Sequence, residues 1–137
     1  MIIALFAYGL YAKGVDHFLK NLWIWLLGNG LFSAIGAIAA FAHPLAVLAA
    51  FFAAPFTSLN PMIGAGWVAG LVQAWIKRPT VDDFEDMSTA IESVKGFWQN
   101  AVTRTLLVVA LANLGSVVGT YFSGIWIAKR IAEASVN

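Results

Sequence analysis

The sequence contains no cysteine and few charged side chains. Of its 137 residues, Lys, Arg, Asp and Glu make up 11%, whereas hydrophobic residues make up 61%. The absence of cysteine excludes disulfides, thiolate metal sites and a cysteine nucleophile. A soluble domain usually carries about 25% charged residues, so this chain has too little polar material to cover a surface in water. The composition therefore predicts a protein that folds in the lipid bilayer.

Charge is missing altogether from two long runs. Asn21–Ile76 contains no Lys, Arg, Asp or Glu, and Thr105–Ala128 contains none of these and no histidine. A spanning helix needs about 20 apolar residues, so the second run predicts one span. The first run is long enough for two spans, or for one span and a folded-back pair. Neither run alternates as barrel strands do, and we predict an all-α, polytopic membrane protein with about 3–5 membrane segments.

The N-terminal segment Met1–Tyr11 is apolar but too short to cross a bilayer. It also lacks the basic start and the small-residue cleavage site of a signal peptide. We therefore expect it to be the end of a longer helix, and residues 1–137 to be a single transmembrane domain from the C-terminal part of a longer protein. A short interfacial helix is the alternative.

The segment 44–76 contains a polar break. His43 ends the first complete span, because a residue that precedes proline disfavours the helical conformation, and Pro55–Pro61 interrupts the apolar residues that follow. Asn60 followed by Pro61 is a typical helix start, so a second short helix is predicted to begin there. A re-entrant or broken helix pair fits this pattern, and so do two short tilted spans joined by an interfacial loop.

Residues 77–100 form the longest polar segment. Thr80 is a good N-cap, and the acidic residues after it favour the positive end of a helix. Apolar residues recur at helical spacing, at Phe84, Met87, Ile91 and Val94. We therefore predict a surface amphipathic helix at 80–94. The expected topology puts residues 11–20 and the C-terminus on one face of the membrane and residues 77–100 on the other. Each face then carries four Lys and Arg, so the positive-inside rule does not decide the orientation. The acidic residues favour an outer location for the loop 77–100.

Uncharged polar residues inside the apolar runs are the candidates for a functional site. The sequence has no HExxH, GxSxG or P-loop motif, so we predict neither catalysis nor a cofactor or metal for this chain. In lipid such side chains most often form interhelical hydrogen bonds, but the ends of broken helices also bind substrates or ions in transporters. The candidate intramembrane polar site comprises His43, Thr57, Ser58, Asn60, Asn113 and Ser116.

Glycines four residues apart form two small notches, Gly66 with Gly70 and Gly115 with Gly119. Such notches let membrane helices pack closely, so we assign these residues to helix packing and expect a homo-oligomer. The lipid bilayer is the other expected partner. A net charge of +1 offers no basic surface for nucleic acid.

Several stretches of the chain are specific enough to suggest a family. They are His43–Leu45, Ala54–Pro61, Gly64–Gly70, Lys77–Pro79, Asp83–Asp86, Lys95–Asn100, Val102–Arg104 and Ala112–Ser116. In these stretches the sequence resembles the C-terminal membrane domain of the TraB/PrgY family, the pheromone shutdown-related proteins of bacteria and archaea. The resemblance extends from about residue 28 to residue 120.

The resemblance implies an N-terminal domain that this chain lacks. That domain is related to the Tiki and GumN proteins, with a Gly-x-x-His signature and acidic residues thought to serve a metal-dependent protease, and none of its catalytic residues is carried over here. For the membrane domain the resemblance leaves three roles open: anchoring a peptide-degrading or pheromone-inhibiting domain, binding an apolar peptide, and forming a homo-oligomer. A small channel or transporter that uses the polar break at 57–60 is the alternative.

Overall fold

The computed structural model describes residues 2–60 and 62–136. Within that part of the chain all regular structure is helical. The eight helices are α1 (Ile2–Lys13), α2 (Val15–Ala39), α3 (Pro44–Thr57), α4 (Ala65–Lys77), α5 (Val81–Glu85), α6 (Met87–Ala90), α7 (Val94–Gln99) and α8 (Ala101–Val136). The prediction of an all-α chain is confirmed for these residues.

Two of the helices, α2 and α8, are long and apolar enough to cross a membrane. The shorter apolar helices α1, α3 and α4 have 12, 14 and 13 residues, which is too few to cross alone. The prediction of about 3–5 membrane segments is therefore not confirmed beyond these two helices.

Residues 11–20, which include the polar side chains of Lys13, Asp16, His17 and Lys20, are almost entirely helical. Gly14 alone separates α1 from α2, and its φ of 80° is a left-handed conformation that glycine adopts without strain. The chain therefore reverses direction at one residue. The helix α2 starts at Val15, before the uncharged run that begins at Asn21.

The helices α2 and α8 pack antiparallel and form the centre of the fold. The Ser123 hydroxyl donates to the backbone oxygen of Ile24 at 3.3 Å, and the Ser33 hydroxyl donates to that of Ala112 at 3.0 Å. These bonds join the start of one helix to the end of the other. A backbone oxygen in a helix has a second lone pair free, so it accepts such a bond without giving up its own helical partner.

Two glycines bring the backbones of this pair into direct contact. Gly36 lies against the backbone oxygen of Leu111, and Gly115 lies against that of Phe32, so that a Cβ atom at either glycine would overlap the facing backbone. Small residues allow membrane helices to approach in this way. The two contacts are reciprocal, since each helix supplies one glycine and one carbonyl.

The helices α3 and α4 form an antiparallel hairpin beside this pair, α3 on α2 and α4 on α8. The Trp25 indole donates to the backbone oxygen of Pro55 at 3.3 Å, which links α2 to the far end of α3. At the other end of the hairpin the amide of His43 donates to the Gln73 side chain at 2.7 Å. The turn end of the hairpin is thus fixed by a side chain of α2, and the open end by a side chain of α4 within the hairpin.

Small residues fill the interior and large apolar residues lie outside. The main core cluster consists of Ala37, Ala40, Ala50, Ala69, Val108 and Ala112. A second cluster joins α1 to the central pair, with Leu5 and Phe6 packed against Trp25 and Ile127. Helices whose facing residues are mostly alanine and glycine lie close together, and their larger side chains point away from the core.

The hairpin turn differs from the predicted helix start. The helix α4 begins at Ala65, after Gly64, instead of at Pro61. The Asn60 side chain accepts from the amide of Met62 at 3.0 Å, so it stabilises a tight turn in place of a helix N-terminus, an alternative that asparagine side chains commonly offer. Pro61 itself lies outside the described residues.

The single amphipathic helix predicted at 80–94 is wrong in its extent. The structure has two short helices there, α5 and α6, and Ile91–Ser93 form a turn. The reason is that a new helix starts at Ser93. The side chain of Ser93 accepts from the amide of Gly96 at 3.1 Å and caps the N-terminus of α7. The helix α7 then places Trp98 at the end of α2, where its indole donates to the backbone oxygen of Ala39 at 3.0 Å.

We expect Gly115→Ala to destabilise the chain by about 1–3 kcal/mol, because the new methyl group would overlap the backbone of Phe32. Thermal unfolding in detergent measures the effect. The matched control is Gly9→Ala, where a Cβ would meet its nearest neighbours, Asn21 and Ile131, at an ordinary 3.6 Å. Equal melting temperatures for the two variants would contradict the close contact between α2 and α8.

The start of α5 is sensitive to acid. Hydrogen bonds from the Thr80 amide at 2.8 Å and its hydroxyl at 2.9 Å hold the pKa of the Asp83 carboxylate below its ordinary value of 3.8. A carboxylate with a lowered pKa stabilises the fold above its unfolded-state pKa, and that contribution is lost as the pH falls through the folded-state pKa. The cap is therefore complete at neutral pH and is lost as the pH falls through the lowered pKa of Asp83.

In Thr80→Val we expect the pKa of Asp83 to rise toward the ordinary value without reaching it. The substitution removes the hydroxyl bond and leaves the bond from the backbone amide, which is the larger cause of the shift. A carboxyl-detected NMR titration in micelles follows this group directly. Thr89→Val, on the exposed side of α6, should leave the pKa unchanged, and an equal rise in that variant would contradict the assignment.

Candidate functional site

The end of α3 is rich in hydroxyl groups that bond back to their own helix. Pro55 lies inside this helix and has no amide hydrogen to donate to the preceding turn. The Thr57 hydroxyl donates to the backbone oxygen of Ala53 at 3.0 Å, and the Ser58 hydroxyl donates to that of Ala54. The Ala54 oxygen also accepts from the amide of Ser58 at 3.0 Å, so these hydroxyls add second bonds to carbonyls of the last turn, and their hydrogens are used within α3.

The start of α4 is capped by a residue far away in the sequence. The Asn113 side-chain oxygen on α8 accepts from the backbone amide of Gly66 at 2.8 Å, although Gly64, the residue before the helix, offers no side-chain cap. The first amides of a helix have no partners within it, so Asn113 fulfils the function of an N-cap from the neighbouring helix. Any Cβ at Gly64 would overlap the Asn113 side chain.

A closed hydrogen-bond network lies next to Asn113, between α2 and α8. The Ser116 hydroxyl donates to the Asn29 side-chain oxygen at 2.8 Å, and the Asn29 amide donates to the Thr120 hydroxyl at 2.9 Å. The Thr120 hydroxyl in turn donates to the backbone oxygen of Ser116 at 2.8 Å. Asn29 is 0% exposed, so its amide group is fully buried with both ends paired.

A cavity of about 630 Å³ lies where these three groups meet. Its walls are the hairpin turn, one face of α8, and Ile3 of α1. The lining residues are Ile3, Thr57, Ser58, Leu59, Asn60, Met62, Ile63, Gly64, Ala65, Trp67, Asn113, Ser116, Val117, Thr120 and Tyr121. On α8 these residues surround the middle of the uncharged run between Arg104 and Lys129.

The structure brings five of the six predicted site residues to this cavity. Thr57, Ser58, Asn60, Asn113 and Ser116 all line it. His43 does not, because it lies at the opposite end of α3, about 20 Å along a helix of that length. There its ring nitrogen Nδ1 accepts from the amide of Leu45 at 3.2 Å, so it serves as the N-cap of α3.

The glycine pairs assigned to helix packing lie inside the fold. A Cβ at Gly66 or Gly70 would meet Val109 of α8, and a Cβ at Gly119 would lie 2.8 Å from the Cα atom of Asn29 in α2. The notches therefore face neighbouring helices of the same chain. A homo-oligomer would have to use another surface.

Thr120 and Ile3 also line the cavity, although neither is among the six predicted site residues. Thr120 recurs four residues after Ser116, and this helical spacing was the signal that could have placed it on the cavity wall. Ile3 carries no signal, because its position depends on how α1 folds back at Gly14.

The residues Gly14–His17 have the Gly-x-x-His spacing, but they form the joint between α1 and α2. No group of His, Asp or Glu among the described residues could hold a metal ion.

We expect Asn113→Leu to lower the free energy of unfolding in detergent by about 1 kcal/mol, the usual effect of losing an N-cap. The matched variant is Asn60→Leu, which removes the same side chain from the exposed turn and should have a smaller effect. Thermal or dodecyl-sulfate unfolding compares the two directly. A larger loss for Asn60→Leu would show that the cap on α4 does not stabilise the hairpin.

Comparisons with known proteins agree with the resemblance found in the sequence. Residues 1–132 match the C-terminal domain of the TraB family. An uncharacterized protein of Methanocaldococcus jannaschii, MJ1365, is 35% identical over 125 residues, which cover 88% of this chain and 31% of the relative. The chain thus spans about a third of the length of this curated relative. No solved structure matches it. The chain belongs to the TraB family, and its helices form the C-terminal domain of that family.

Proposed function

We propose that this chain is a membrane-embedded domain that anchors the rest of a TraB-family protein in the bilayer. The observation that carries the proposal is the distribution of apolar side chains. Only 33% of the most apolar stretch of α2 and 28% of that of α8 are buried in the fold, whereas a core helix of a soluble protein is mostly buried. An apolar helix that the protein does not cover requires a lipid environment.

The exposed side chains form apolar stripes along the helices. On α2 the stripe consists of Trp23, Leu27, Leu31, Ile35 and Ile38. On α3 it consists of Leu45, Leu48, Phe52 and Phe56, and on α4 of Trp67, Leu71 and Trp75. A soluble monomer rarely exposes contiguous apolar surface on this scale, but surfaces of this composition are normal on membrane helices.

The polar interior supports the same location. The Ser33 and Ser123 hydroxyls, the Asn29 amide group and the Trp25 indole all have hydrogen-bond partners within the fold. An unpaired polar group in lipid costs several kcal/mol, so such pairing is what a bilayer demands. Among the helices that carry the apolar stripes, charged residues lie only near the ends.

We further propose that α3 and α4 form a re-entrant hairpin. The helix α3 ends beside Trp25, and from there α2 continues to Val15, over roughly 15 Å. A helix with the length of α3 covers about 21 Å, less than the hydrocarbon thickness of about 30 Å. The remaining depth is occupied by α1, whose Phe6 ring packs on Trp25 at a centroid distance of 6.3 Å.

In the proposed topology the α1–α2 joint and the end of α8 lie on one face, and residues 77–100 lie on the other. Each face carries four Lys and Arg, but five of the seven acidic residues lie in 77–100. Acidic residues contribute little to orientation. On their distribution we propose that the loop 77–100 is outside.

A second candidate function is a channel or transporter. It is favoured by one observation, the cavity at the ends of two short helices near the middle of the uncharged run, which resembles the broken-helix sites of transporters. This function requires water to reach the hairpin turn from one face. An anchor requires only that the turn be packed.

Cysteine accessibility tests both functions, since the chain has no native cysteine. In sealed vesicles, Ser88→Cys and Ala12→Cys should react with an impermeant maleimide from opposite sides, and Leu31→Cys should react from neither. Reaction of Ser88→Cys and Ala12→Cys from the same side would contradict the proposed topology. In Asn60→Cys, reaction from one side would support a channel or transporter, and no reaction would support an anchor.

A further inference from the structure

The cavity at the hairpin turn has no charged group in its wall. Among the described residues that line it there is no Asp, Glu, Lys, Arg or His. Its volume of about 630 Å³ lies within the range of small-molecule sites, about 300–1,000 Å³. The wall combines uncharged polar groups from Thr57–Asn60 and α8 with apolar side chains, among them Ile63 and Val117. A ligand that matches this wall is apolar and carries an uncharged polar group.

The hydroxyl hydrogens of the serines and threonines that line the cavity are already in use. Those of Thr57 and Ser58 are donated to the backbone of α3. Those of Ser116 and Thr120 are donated to Asn29 and to the backbone of α8. A ligand therefore cannot accept a hydrogen bond from these groups without breaking an existing one.

Asn113 can donate a hydrogen bond to a ligand, which these hydroxyls cannot. Its side-chain oxygen accepts from Gly66, which fixes the orientation of the amide group, while its nitrogen Nδ2 donates to no residue in the described part of the chain. An amide nitrogen carries two hydrogens, and the nearby N-terminus of α4 adds partial positive charge. The wall is therefore suited to an acceptor oxygen.

The opening of the cavity is lateral. Trp67 on α4 and Tyr121 on α8 are each 62% exposed, and Val117 is 52% exposed, so the rim lies on the side of the bundle, between these two helices. Such a rim faces the apolar chains of the lipid if the chain is embedded as proposed above. Entry from the bilayer selects apolar molecules, and a full charge at this depth would be costly without a partner.

We propose that this cavity binds a neutral amphiphile whose carbonyl oxygen accepts a hydrogen bond from Asn113 Nδ2 and whose apolar chain lies along Ile63 and Val117. The carbonyl matches the free amide donor, and a full negative charge at this depth is costly because the wall holds no charged partner. The inference rests on the proposed membrane location, and goes beyond it by assigning a ligand class to the hairpin turn.

The test uses a photoreactive fatty-acid methyl ester that carries a diazirine, with the whole chain in phosphatidylcholine vesicles. Labelled residues are mapped by mass spectrometry. We expect saturable labelling around Met62–Trp67 and Val117–Tyr121, and competition by methyl laurate about fivefold stronger than by dodecane, the effect of one hydrogen bond. Laurate at pH 9 should compete no better than dodecane.

A matched pair of variants separates the cavity from the lipid-facing surface. Val117→Trp should fill the cavity and abolish saturable labelling. Val118→Trp places the same side chain on a residue that is 50% exposed but does not line the cavity, and it should leave labelling unchanged. Melting temperatures show that both variants are folded.

The possible failures are distinguishable. Uniform, non-saturable labelling of all apolar faces, or equal competition by dodecane and methyl laurate, would overturn the ligand site and leave the membrane location standing. Absence of label from the stripes on α2 and α3 would overturn the membrane location, and the ligand proposal with it.

Discussion

The backbone contact between α2 and α8 is the constraint on which the rest of the fold depends. Gly36 and Gly115 each receive a carbonyl group of the facing helix, so the two long helices lie closer together than helices with larger side chains. In lipid no hydrophobic effect drives helices together, and close packing with interhelical hydrogen bonds has to replace it. The Asn29 network forms between the same two helices and pairs polar groups that lipid would leave unpaired.

The short helices α3 and α4 depend on this pair for their ends. A helix that ends inside the fold leaves amides or carbonyls without partners, and in the proposed bilayer location lipid could not supply them. Trp25 of α2 donates to the end of α3, and Asn113 of α8 accepts from the start of α4. The two long helices thus supply the polar partners that make a break in the chain stable.

The sequence predicted what depends on local pattern. The uncharged runs, the polar residues within them and the break at Pro55–Pro61 are visible without coordinates, and they led to the helical fold and to five residues of the cavity. The break itself starts later than predicted, because α3 continues through Pro55 to Thr57. The misplaced residues are those whose role is set by distant partners. His43 was grouped with the polar break because it borders the same apolar run, whereas it caps the other end of α3. Asn60 has the chemistry of an N-cap, but Asn113, far away in sequence, fulfils that function. Local spacing cannot reveal a contact between residues so far apart.

The reciprocal glycine contacts also limit how this molecule can move. Suppose that α8 slid along α2 by one residue, about 1.5 Å. The Leu111 carbonyl would then move from Gly36 toward the Cβ of a neighbouring residue, and Gly115 would move away from the Phe32 carbonyl. Because both contacts would be lost together, the pair has one permitted register and behaves as a rigid frame. The hairpin meets this frame through a similar contact, since Gly66 lies against the backbone oxygen of Val109, whereas α1 packs on it through the side chains of Leu5 and Phe6. A conformational change in this domain is therefore least restrained in α1.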